Sequence, residues 1–138
     1  MNIGVYIDAD NMSHKCCSKI LNLVDGNYTI KKIFSDWSKT ESKNWEKKII
    51  QYGLEPIQCF RISKKQSTDV KMITTIISDI HSYNLNFIIL ATSDIDFSHL
   101  CVEIKKKNIK ILVVCREESK LKYYCDEYYP INKLLKKK

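Results

Sequence analysis

A single-domain α/β fold, built on a parallel five-stranded sheet with helices on both faces, is what this sequence predicts. Three observations lead there. Short apolar runs alternate with amphipathic segments of helical length along the chain. The run FIILA at 87–91 is apolar at every position, as a central parallel strand covered on both faces must be. Two of the runs, within IGVYIDADN and FIILATSDIDF, pass directly into clusters of acidic residues. At 138 residues and 44% hydrophobic, the chain suits one domain with a sizeable core.

The elements follow in order. Asn2–Ile7 is a nearly continuous apolar strand, and Ser13 offers an N-cap for a helix through about Val24. Asp25-Gly26-Asn27 is a turn signal. Thr29–Phe34 alternates polar and apolar, as a strand with one more accessible face does. A helix around Lys43–Tyr52 stops at Gly53, and Glu55–Arg61 forms a third strand with Pro56 near its start. Ser63–Thr68 is a polar, basic loop, with Ser67 or Thr68 capping a helix from Asp69 to about Ser82. The strand Phe87–Ala91 is followed by a helix over Phe97–Lys107, a strand over Lys110–Cys115 and a last helix near Ser119–Asp126. The tail at 132–138, NKLLKKK, is a basic helical turn.

Such alternation argues for right-handed crossovers between parallel strands. In open parallel sheets, ligands sit beyond the carboxyl ends of the strands, where strand order reverses. The two acidic clusters follow the first and fourth strands. If those strands are neighbours, in the order 3-2-1-4-5, their carboxylates meet at the switch point.

Carboxylates a few ångströms apart push one another's pKa values up, and a hard divalent cation is the usual remedy. Asp8 ends the first strand, and Asn11 stands where the next helix begins. Asp94 and Asp96 follow the fourth strand, while Asp69 opens the third helix. Together they are candidate ligands for Mg²⁺ or Mn²⁺, which activate water and stabilise an in-line phosphoryl displacement without a histidine base. Each also has an ordinary reading, because Asp, Asn and Ser before a helix are standard caps. Their joint convergence is what favours the metal. Asp10 is the weakest of the acids and faces solvent on this reading.

The net charge of +7 favours an anionic partner, nucleic acid or an acidic membrane surface. Arg61, Lys64, Lys65 and Lys71 are placed to hold phosphates flanking the acidic site. Trp37, Trp45 and the tyrosines at 123, 124, 128 and 129 read as packing residues, although such clusters can stack on bases. No stretch approaches the roughly 18 apolar residues of a membrane helix. No basic segment precedes an apolar core at the N-terminus, so a cytoplasmic location is expected. The six cysteines form no C-x-x-C pair. Zinc ligation by His14, Cys16 and Cys17, or by His99 and Cys101, has poor spacing, and free thiols in a reducing cytosol fit better.

Several motifs stand in order: apolar-Asp-x-x-Asn at Asp8 and Asn11, Asp36-Trp37, a basic loop ending in Thr68-Asp69, and Ser93-Asp94-Ile95-Asp96-Phe97. In this order the chain resembles the NYN domain, a branch of the PIN-like nuclease superfamily that includes LabA-like bacterial proteins. The resemblance covers nearly the whole chain. It implies a Rossmann-like sheet of order 3-2-1-4-5 and Mg²⁺- or Mn²⁺-dependent ribonuclease chemistry, in which water attacks the phosphodiester and leaves a 5′-phosphate. It further implies Asp8, Asp69, Asp94 and Asp96 as metal ligands, with Asn11 and Ser93 as polar helpers. Ser35 stands where relatives often have Gly before Asp-Trp. Many relatives carry a further RNA-binding domain, so RNA choice here falls to the chain's own surface or to a partner protein; separately, PIN-like domains often pair, which makes a homodimer the form the resemblance implies. Two alternatives stay open: a non-catalytic RNA-binding module, and a phosphohydrolase of the haloacid-dehalogenase type. The second rests on Asp8-x-Asp10, but Asn11 stands where that class needs Thr or Val.

Overall fold

The computed structural model describes residues 1–60 and 67–131. Six strands form one parallel sheet: β1 (Ile3–Asp8), β2 (Tyr28–Ser35), β3 (Glu55–Gln58), β4 (Phe87–Ala91), β5 (Lys110–Cys115) and β6 (Glu127–Pro130). Their order is β3-β2-β1-β4-β5-β6, so the expected 3-2-1-4-5 sheet is present with one strand added at its edge. The helices are α1 (Cys17–Leu21), α2 (Glu46–Tyr52), α3 (Ser67–Tyr83) and α4 (Ser98–Lys106).

Strand periodicity divides the core in two, because alternate side chains point to opposite faces. Tyr6, Phe34, Ile88, Leu90, Ile111 and Val113 pack against Met72 and Ile76 of α3 and Leu100, Cys101 and Ile104 of α4. On the other face, Val5, Ile7, Ile33, Ile89 and Val114 pack against Cys17 and Ile20 of α1 and against Trp45. β1 and β4 are buried on both faces, which is why they read as unbroken apolar runs. Within the first face, Tyr6 donates its hydroxyl to Asp79 at 3.0 Å, and Lys32 pairs with the same carboxylate oxygen at 2.8 Å. Gly4 allows this packing, since a Cβ there would lie 2.8 Å from the Tyr6 ring.

Several elements are shorter than the sequence predicts. Ser13 does cap its segment, accepting the Lys15 N–H, but a 3₁₀ turn at His14–Cys16 precedes α1, which ends at Leu21. A second 3₁₀ turn, Glu41–Trp45, leads into α2, and Gly53 ends it in the left-handed conformation at φ +65°. The helix expected near Ser119–Asp126 is a single 3₁₀ turn, Lys120–Tyr123, in which Leu121 is the buried anchor. Beyond it, Asp126 accepts the Ile111 N–H at 2.9 Å and donates its own N–H back at 3.0 Å. That exchange starts β6 alongside β5. Pro130 sits at the end of this edge strand, where a missing N–H does least harm. The third strand is seen over Glu55–Gln58. The basic positions Arg61, Lys64 and Lys65 and the tail at 132–138 lie outside the described residues. Among the described residues, no helix is long and apolar enough to cross a membrane.

Candidate metal centre

Parallel pairing aligns Ile7 with Ala91, so β1 and β4 end side by side at the point where strand order reverses. The next residues are Asp8 and Thr92, and both fall on the face covered by α3. Asp8 is 1% exposed. Its Oδ2 accepts from the Asn11 amide at 2.8 Å and from the Thr92 hydroxyl at 3.2 Å. Its Oδ1 is buried and has no hydrogen-bond partner among the described residues. Burial pushes the Asp8 carboxyl up to about 6; the hydrogen bonds from Asn11 and Thr92 act against that, while the Asp10 charge adds to it.

Three further acids converge. One carboxylate oxygen each from Asp69, Asp94 and Asp96 lies within 4.8 Å of the other two. Asp69 opens α3 and is buried, Asp94 is half-buried, and Asp96 is exposed. The Asp69 carboxyl is pushed up to about 7, first by burial, then by a hydrogen bond shared with Asp94 and the charges of Asp94, Asp8 and Asp96. Asp8 is therefore electrostatically part of the cluster although it is not one of the close trio. A buried acceptor without a donor beside three converging carboxylates is a donor set of hard oxygens, and it suits Mg²⁺ or Mn²⁺.

Local structure holds the acids in place. Asp94 Oδ1 accepts the Asp96 N–H at 2.9 Å, which starts the 3₁₀ turn Ile95–Phe97. The Thr92 hydroxyl also receives the Asp94 N–H at 3.3 Å, so one side chain ties the ends of β1 and β4 together. The sequence reading passed over Thr92, yet the signal was there. A polar residue extends an apolar strand on the same face as Leu90, beside the strand that ends in Asp8.

The other sequence-predicted residues fall as follows. Asn11 orients Asp8, as above. Ser93 turns toward the end of β5: its Oγ accepts the Arg116 N–H at 2.8 Å, and its carbonyl accepts from the Ser119 hydroxyl at 3.0 Å. Lys71 is exposed on α3 and lines a cleft with Lys32 and Thr74. Asp10 accepts from Ser35 at 3.1 Å and lies 3.8 Å from the Lys39 ammonium. The Asp36-Trp37 pair is structural. Asp36 Oδ1 accepts from the Ser38 hydroxyl and N–H and from Gln58, and its carboxyl is held down to about 2. The Trp37 indole donates to Ile57 at 3.0 Å, tying this loop to β3. All six cysteines are free, and all but Cys125 are buried.

A solved structure of a protein of unknown function from Vibrio parahaemolyticus RIMD 2210633 superposes with a TM-score of 0.71. It is 18% identical, covering 93% of this chain and 91% of that one, and the likeness shows the fold. A search of curated proteins finds no match. The sequence profile of the NYN domain matches residues 2–132. With nearly its whole length inside that match, the chain belongs to the NYN domain family, a family of PIN-like nucleases.

Proposed function

We propose that the protein is a metal-dependent endoribonuclease that hydrolyses RNA phosphodiester bonds at the acidic cluster. The observation that carries this reading is the convergence of Asp69, Asp94 and Asp96 beside the buried Oδ1 of Asp8, which is unpaired among the described residues. Asp8, Asp69, Asp94 and Asp96 would hold the cation. When bound, Mg²⁺ or Mn²⁺ supplies positive charge for the phosphoryl oxygens and lowers the pKa of the attacking water. Asn11 and Thr92 keep Asp8 in one orientation, so the acids need little rearrangement to receive the ion. The excess of cations elsewhere on the chain, +7 overall, draws the polyanion to a site that is itself acidic. RNA as the preferred nucleic acid, endonucleolytic cleavage and a 5′-phosphate product are part of the proposal.

Purified protein is incubated with labelled single-stranded and hairpin RNA in Mn²⁺ or Mg²⁺, beside EDTA and an Asp94→Asn variant. Cleavage that needs the metal and disappears in the variant is the expected result. RNA binding without cleavage in any metal would replace the proposal by a non-catalytic RNA-binding role.

A further inference from the structure

A second cavity opens on the opposite side of the Asp8–Asn11 loop and has no part in the metal centre. It has a volume of about 710 Å³ and lies beyond the carboxyl ends of β1 and β2. Its walls are the loop from Ala9 to Lys15 and the segment from Lys39 to Trp45. That volume falls within the roughly 300–1,000 Å³ of small-molecule sites. The loop forming one wall also carries Asn11, which holds Asp8, so this loop links the cavity to the metal centre.

The lining has the parts of a nucleotide site. Met12 and Trp45 are 4% and 2% exposed and give it an apolar base. Lys15 and Lys39 supply two cations, beside the carboxylates of Asp10 and Glu41. Lys39 is held only loosely, 3.8 Å from Asp10, and is available to a phosphate. Asn44 carries both a donor and an acceptor, and Asp10 is an acceptor, as recognition of a base edge requires. Trp45 adds a donor. Among the described residues its indole N–H has no hydrogen-bond partner, whereas the Trp37 indole is satisfied by Ile57. The Trp45 nitrogen is not sealed from solvent, since Asp8 Oδ1 is the one buried side-chain polar atom left unpaired among the described residues, so its N–H is open to a ligand in this cavity.

We infer that this cavity is a nucleotide subsite, seating one base and its phosphate from the RNA strand next to the scissile bond. The strand as its source rests on the ribonuclease reading; the nucleotide chemistry rests on the cavity. Lys15 and Lys39 hold the phosphate, while Trp45, Asn44 and Asp10 face the base. The subsite then contributes both affinity and a preference among bases.

The protein's two tryptophans make the test direct, because each gives one indole N–H resonance in an NMR spectrum of the intact chain. Trp37→Phe identifies which is which. The four nucleoside 5′-monophosphates are titrated in EDTA, beside the nucleosides and inorganic phosphate. The Trp45 indole resonance is expected to move saturably with a monophosphate, more weakly with phosphate or nucleoside alone, and the Trp37 resonance to stay. Lys15→Ala with Lys39→Ala weakens the response about tenfold or more, the loss of a charge-assisted contact. Asp69→Asn leaves it unchanged. No shift into the millimolar range, or equal shifts of both indoles, overturns the subsite. If RNA is still cleaved in a metal-dependent way, the nuclease reading survives that failure. Nucleotide binding in a protein that cleaves no RNA would instead uphold the cavity as a nucleotide site and remove the strand as its source.

Discussion

Replacing Asp69 with Asn should stabilise the metal-free protein at alkaline pH while removing its response to metal. Burial and neighbouring carboxylates raise the Asp69 carboxyl from 3.8 to about 7. An acid with a raised folded pKa binds more protons folded than unfolded between those two values. Stability therefore falls as pH climbs from about 4 to 7, and the full penalty remains above 7. The upper bound is about 4 kcal/mol. Asp69 is hydrogen-bonded to Asp94 and the cluster opens toward water through the exposed Asp96, so about 2 kcal/mol is the expected gain from removing the charge. Asn keeps an N–H to donate to Asp94, replacing the proton that a neutral Asp69 would offer.

Thermal unfolding in EDTA at pH 4 and pH 8 measures this. Near pH 4 the variant and wild type should melt together; at pH 8 the variant should melt roughly 6 °C higher. Excess Mn²⁺ at pH 8 should then reverse the order. A ligand at one hundred times its dissociation constant adds about 2.7 kcal/mol to whichever protein binds it, and the variant has lost a ligand. A variant destabilised equally at both pH values would refute the reasoning, since Asp69 would then stabilise the apo fold through favourable contacts.

Two further perturbations separate the site from its support. Thr92→Val keeps the side-chain shape but removes the donor to Asp8 and the acceptor for the Asp94 N–H. It should cost about 1–2 kcal/mol in urea unfolding and weaken Mn²⁺ binding by about tenfold in a calorimetric titration; unchanged metal affinity would show that Thr92 is merely structural. Lys32→Met leaves the buried Asp79 without its cation. Urea unfolding should show a loss of about 3 kcal/mol, and adding Asp79→Asn should recover part of it. No recovery would mean that Lys32 acts through packing.

The order of the inner strands was legible because function and fold impose the same constraint on the chain. Acids after two different apolar strands make sense only if those strands are neighbours, and β1 and β4 are. β6 was not legible. EYYP is short and carries no unbroken apolar run, and its place at the sheet edge comes from the exchange between Asp126 and Ile111, distant in sequence. The Lys120–Tyr123 turn misleads in the same way, since one buried leucine does not support a helix. Asp36-Trp37 belongs to the family pattern, yet its side chains are spent on Ser38, Gln58 and Ile57. A motif marks what a fold needs as readily as what a reaction needs.

The choice between helix cap and metal ligand, natural in reading the sequence, dissolves in the structure. A carboxylate has two oxygens. Asp94 uses Oδ1 to receive the Asp96 N–H and retains a second oxygen to offer a cation. Asp8 divides its oxygens more sharply: Oδ2 takes both donors, while Oδ1 stays buried and has no partner among the described residues. The capping bonds are therefore part of how the site is built, because they fix each carboxylate by one oxygen and leave the other oriented. The cluster carries an electrostatic cost: burial raises the Asp8 and Asp69 carboxyls, and the charges of Asp94, Asp8 and Asp96 add to the rise at Asp69. Any divalent cation that enters relieves it, so metal binding and fold stability should be coupled through these two side chains above all others.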